Sequence, residues 1–82
     1  MKRIELFYSP VCPFCPHARE LLEKYKADNP GFEYEEVDTY TEEGIKRGMS
    51  LEVMAVPCLV VDNEIRLSGW PFTVDDVTKA IE

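Results

Sequence analysis

Apolar and charged residues alternate along "RIELFYS", residues 3 to 9, with Ile4, Leu6 and Tyr8 on one side. That period of two predicts a strand. From Pro13 to about Asp28 the period changes. Apolar residues at Phe14, Ala18, Leu21, Leu22 and Tyr25 follow at spacings of four, three, one and three, which mark one face of an amphipathic helix. Pro13 suits the first turn, where its missing N–H would be unpaired anyway. The turn residues of "DNPG", 28 to 31, end the helix.

Alternation resumes in "FEYEEVD", 32 to 38, a second strand with Phe32, Tyr34 and Val37 on its packed side. A helix over about Thr41 to Met49 follows, with Ile45 and Met49 as its apolar stripe and Gly44 and Gly48 each weakening it. "VPCLVVD" and "EIRLS" then predict two strands joined at Asp62-Asn63, a hairpin. Thr73 caps a last helix, "VDDVTKAI", with Asp76 three residues on as a near capping box and Val74, Val77 and Ile81 facing the core. The order β-α-β-α-β-β-α begins with a right-handed crossover. It implies one α/β domain over residues 1–82, a mixed sheet of four strands flanked by three helices.

Composition narrows the function classes. A chain of 82 residues with 45% hydrophobic content supports one modest core. Nine basic against sixteen acidic residues leave a net charge of −7 and no basic stripe. Neither nucleic acid nor an anionic membrane is therefore an expected partner. No apolar run approaches the length of a membrane span. "MKRIELFYS" reads as a first strand, not a signal peptide, so a cytoplasmic location is expected. Small size makes a monomer the default. Three cysteines form a poor disulfide framework, and in a reducing compartment a close pair points to catalysis or metal binding.

That pair is Cys12 and Cys15, in "YSPVCPFCPHARELL" between the first strand and the first helix. Unpaired N–H groups and the helix dipole favour an anion there, and a thiolate is such an anion. Cys12, at the mouth, is the expected attacking thiolate. Cys15, one turn deeper, is placed to resolve a mixed disulfide. A metal half-site is the competing reading, but a tetrahedral site needs four ligands. His17 stands only two residues past Cys15, about 200° around the helix, and reads first as an exposed helix residue. Cys58 reads first as a small buried apolar residue. Its sharper alternative is a thiol close to Cys15 that forms a second disulfide or completes a cluster.

A C-x-x-C beside a strand-helix-strand pattern resembles the thioredoxin superfamily, and "CPFC" is most similar to its glutaredoxin branch. "CPFCP" also resembles small archaeal redoxins and archaeal protein disulfide oxidoreductase modules. The second anchor is "AVPCLVV", 55 to 61, where the superfamily carries a Val-Pro or Ile-Pro. Gly69, in "LSGW", matches a glycine bordering the groove. The resemblance implies a thioredoxin-like fold with Cys12 and Cys15 as the reacting pair. It further implies a cis Val56–Pro57 bond, Pro57 packed against that pair, and a Val56 backbone that pairs with an extended substrate. Pro13, Phe14 and Gly69 complete the groove, and Tyr8, Trp70 and Phe72 read equally as further walls or as aromatic core packing.

The sequence also departs from the family. Val11 stands where thioredoxins place Trp, and Leu6 where they place a buried Asp, so the first strand supplies no acidic proton acceptor at that position. The Gly-Gly and Asp that hold glutathione in glutaredoxins are replaced by "SGWPFTVDD", with Asp75 or Asp76 as partial substitutes. The expected function is dithiol–disulfide exchange on protein or glutathione mixed disulfides. It needs no metal or organic cofactor, and a reductase or glutathione supplies the electrons. Two alternatives stay open: a glutaredoxin-like metal or Fe–S module, and a non-catalytic domain binding an extended peptide beside Pro57.

Overall fold

The computed structural model describes residues 2–81. Its elements are β1 (Arg3–Tyr8), α1 (Cys15–Asp28), β2 (Glu33–Asp38), α2 (Glu42–Leu51), β3 (Cys58–Val61), β4 (Glu64–Ser68) and α3 (Val74–Ile81). The strand order is β2-β1-β3-β4. β1 runs parallel to β2 and antiparallel to β3, and β3 pairs antiparallel with β4. The expected element order and mixed sheet are therefore present. Asp62 and Asn63 turn the hairpin with φ of 49° and 68°, the pair of positive values that a tight two-residue hairpin requires. The Thr73 cap is reciprocal. Thr73 N–H donates to Asp76 Oδ2 at 2.9 Å, and Asp76 N–H donates to Thr73 Oγ1 at 3.2 Å.

The sheet separates two apolar layers. Ile4, Leu6, Leu59 and Val61 pack with Ala18 and Leu22 of α1 and Val77 of α3. On the other face Phe7, Cys58 and Val60 meet Leu51, Val53 and Val56. β1 lies in the middle, so both of its faces are covered and simple alternation fails. Phe7 is fully buried, and Glu5, on the charged side of the sequence pattern, is buried too. Its carboxylate accepts two bonds from Arg47 of α2, Nε at 3.1 Å and Nη2 at 2.7 Å. A buried carboxylate without such a partner would carry a large desolvation penalty.

Four side chains depart from the predicted faces. Ile45 and Met49 are exposed, because α2 turns Gly44 and Gly48 toward the sheet instead. Phe14 precedes α1 as its N-cap and is half exposed, since the helix starts at Cys15 and not at Pro13. Val74 is exposed as well. α3 is eight residues long and its buried contacts gather around Val77, which leaves the first turn to solvent.

Candidate active site

β1 ends at Tyr8, and the chain turns through residues 9–14 before α1 begins. The turn is closed by Cys12 N–H donating to Ser9 O at 3.1 Å and Val11 N–H donating to Ser9 Oγ at 3.2 Å. Cys12 and Pro13 therefore sit just ahead of the helix, and Pro16 takes the first-turn place expected of Pro13. Cys12 is partly exposed, whereas Cys15, the first helical residue, is 1% exposed. All three cysteines are free thiols.

The two thiols ionise in opposite directions. Burial opposes the charge on Cys12, but hydrogen bonds from the Cys15 thiol and from the Phe14 and Cys15 N–H groups outweigh it and hold Cys12 below an ordinary thiol. Burial pushes Cys15 up from 9.0 to about 11, and the hydrogen bond it gives to Cys12 adds to the rise. One proton shared by neighbouring sulfurs thus stays on the inner one.

On the opposite wall the Val56–Pro57 peptide is cis. The Val56 carbonyl oxygen lies 3.9 Å from Cys12 Sγ. Pro57 is fully buried, and its carbonyl accepts a bond from Gly69 N–H at 2.8 Å, with Gly69 at φ +84°. The structure thus brings Cys12, Cys15, Val56 and, through Pro57, Gly69 to one rim, with Phe14 exposed beside it. Trp70–Pro71 is a second cis bond. Trp70 bridges His17, 6.2 Å away and stacked, to Phe72, 5.0 Å away at an edge. Phe72 belongs to the core and not to a groove wall. Asp76 is committed to the α3 cap, which removes it as a free ligand for a small-molecule amine.

Cys58 is where the structure overrides the sharper expectation. Its register partner is Phe7, and its side chain lies in the apolar cluster on the α2 side of the sheet, to which neither Cys12 nor Cys15 belongs. Burial pushes its thiol up to about 11. Among the described residues no three His, Cys, Asp or Glu side chains converge as a metal set. Alkylation followed by mass spectrometry is expected to label Cys12 alone in the native state. Its rate should rise with pH to a midpoint below the ordinary thiol value of 9.0. Cys15 and Cys58 should stay slow until about pH 11 or until unfolding. Fast native labelling of Cys58 would contradict this arrangement, as would a Cys12–Cys58 disulfide in oxidised Cys15→Ser.

One charged group beside the pair escapes the sequence reading. Arg19 of α1 lies across Tyr8, its guanidinium carbon 4.7 Å from the ring centre, and donates from Nη2 to Glu36 Oε1 at 3.1 Å. It lines a cleft of about 340 Å³ together with Cys12, Cys15, Tyr8 and Asp38. The i to i+4 spacing of Cys15 and Arg19 was available in the sequence as a signal.

The chain and its fold are similar to known proteins. A thioredoxin-domain family model matches residues 2–82. The chain is 33% identical to a thioredoxin of Methanocaldococcus jannaschii over 98% of its own length and 92% of that protein. It is 31% identical to a glutaredoxin of Haemophilus influenzae over 74% of its length and 75% of that protein. Among solved structures, the N-terminal domain of an alkylhydroperoxide reductase from Enterococcus faecalis superposes with a TM-score of 0.82 at 26% identity, covering 99% of this chain and 38% of that one. Thioredoxin O2 of Arabidopsis thaliana, 16% identical, superposes with a TM-score of 0.79 over 99% of this chain and 72% of its own. The family match and the curated relatives support a thiol–disulfide oxidoreductase, and the solved structures show the thioredoxin-like fold. The chain belongs to the thioredoxin-domain family.

Proposed function

We propose that the protein reduces protein disulfides by dithiol exchange at Cys12 and Cys15. The carrying observation is a partly exposed Cys12 just ahead of α1 beside a buried Cys15 at its first residue, facing the cis Val56–Pro57 peptide. The lowering of Cys12 and the rise of Cys15 to about 11 fit that order of attack. The Cys12 thiolate attacks a target disulfide, releases one target thiolate and keeps the other half as a mixed disulfide. Cys15 then attacks the Cys12 sulfur, the second target thiolate leaves, and the internal disulfide closes. A donor dithiol returns two electrons and resets the pair.

A protein substrate is favoured over a small one by the surface beside Cys12. Val56 continues into an open apolar groove with Ile45, Met49, Val53 and Met54, three of which are exposed large hydrophobic side chains. Such a surface suits the apolar side chains that flank a cysteine in an extended segment. With Asp76 committed to the α3 cap, a reductase is favoured over glutathione as the donor.

The test is the midpoint potential of the pair in graded dithiol and glutathione buffers, read by alkylation and mass. The expected value lies near about −270 mV. A value near about −200 to −230 mV with glutathione trapped on Cys12 would move the protein to glutathione-supplied chemistry. No reversible two-electron couple would remove the reading altogether.

A further inference from the structure

In the resolving step Cys15 must attack as a thiolate, yet it is 1% exposed and its proton is hard to remove. The strand beneath it offers no carboxylate at Leu6. That residue's register partner on β2 is Glu36, whose carboxylate is bound to Arg19 and to the Tyr34 hydroxyl, 3.0 Å away. A hydrogen bond from the Ser9 backbone N–H and, after it, the charge of Arg19, which lines the same cleft, are what favour a thiolate at Cys15. Arg19 follows Cys15 by four residues, one turn along the same side of α1. It is fixed from two directions, by the Tyr8 ring and by Glu36, and its Nε is buried without a hydrogen-bond partner among the described residues.

We propose that Arg19 is a positioning residue of the resolving step, its clamped guanidinium holding the negative charge of the Cys15 sulfur as that sulfur attacks Cys12. The inference rests on the dithiol-exchange reading and assigns that reaction a third residue. Around Cys15 the charged and titratable groups are Cys12, Tyr8 of β1, Asp38 of β2 and Arg19 itself. Glu36 and Glu23 act on Arg19. Arg19 is the one charged side chain among them that favours the Cys15 thiolate, whereas Cys12 is lowered by hydrogen bonds from the Cys15 thiol and the Phe14 and Cys15 N–H groups. Removing its charge should therefore slow the second chemical step and spare the first. Each unit by which the inner thiol becomes harder to ionise cuts its thiolate tenfold. The more basic thiolate recovers roughly threefold of that in nucleophilicity, leaving a net loss of about threefold per unit.

The experiment uses the reduced protein and 5,5′-dithiobis(2-nitrobenzoate) in stopped flow from pH 6 to 9. Attack by Cys12 releases one coloured aryl thiolate and leaves an aryl mixed disulfide. Cys15 loses its proton to solvent, attacks the Cys12 sulfur and expels the second aryl thiolate as the internal disulfide forms. Arg19→Gln is expected to slow the second release at least threefold at every pH while the first stays within twofold. Arg19→Lys should keep both within twofold of the parent. An unchanged second phase in Arg19→Gln overturns the inference, as does an equal loss in both phases or a Lys variant as slow as Gln. A parent protein that never releases the second equivalent would sink dithiol exchange itself, a different failure from a normal parent with an unaffected Gln variant.

Discussion

Cys12→Ser is expected to lose reduction of a model protein disulfide entirely, a fall of at least about a thousandfold to the uncatalysed rate. A serine hydroxyl neither ionises near neutral pH nor forms a disulfide, so no alternative first step remains. Cys58 cannot substitute, because it is fully buried on the far face of the sheet with its thiol pushed up to about 11. Cys15→Ser should behave differently. It keeps the exposed nucleophile and loses the group that releases the target, so a mixed disulfide should accumulate on Cys12 and appear as a mass adduct. The pair of variants thereby assigns the order of attack. Full turnover by Cys12→Ser, or an adduct on Cys58, would reverse the roles derived from the geometry.

The redox junction is legible in the sequence because its signals are local. A strand period of two gives way to a helical period within a few residues, and two cysteines stand at the change. The hairpin at Asp62-Asn63 and the Thr73–Asp76 cap are legible for the same reason, since each is decided by residues within one turn. What stays hidden depends on partners distant in sequence. Glu5 looks like a solvent-facing residue until Arg47, forty-two positions away, is seen to reach it. The Ile45–Met49 stripe looks like a core face, and only the close approach of α2 to the end of β2 shows that small residues are needed there instead. Cys58 stands beside Pro57 in sequence, but the pleat aims its side chain to the face opposite α1. Arg19 is hidden in a milder way. Its spacing from Cys15 is visible, but the strand register that brings Glu36 and Tyr8 to it is not.

Gly44→Ala is expected to destabilise the protein by about 4 kcal/mol, a large share of the roughly 4–12 kcal/mol that holds a domain of this length together. By helix propensity alone the change should help, because alanine is favoured over glycine in a helix by about 1 kcal/mol. The tertiary contact reverses the sign. A Cβ on Gly44 would overlap the carbonyl oxygen of Asp38 and press on Thr41 Oγ1 at 2.9 Å. The carbonyl is backbone and cannot rotate away. It also accepts from the Thr41 hydroxyl at 2.8 Å, and Thr41 Oγ1 in turn caps α2 through Gly44 N–H at 3.0 Å. Relief would require α2 to lift from β2, breaking the cap and opening the layer over Phe7. Gly48, one turn on, is the internal control. Its added Cβ would meet Phe7 and Val53 at 3.9 Å, ordinary contact. Gly48→Ala should therefore be neutral or stabilising by up to about 1 kcal/mol. Urea unfolding of the two variants decides the matter. Equal stabilities would mean that α2 does not approach β2 this closely, and a stabilised Gly44→Ala would mean that propensity, not packing, governs the helix.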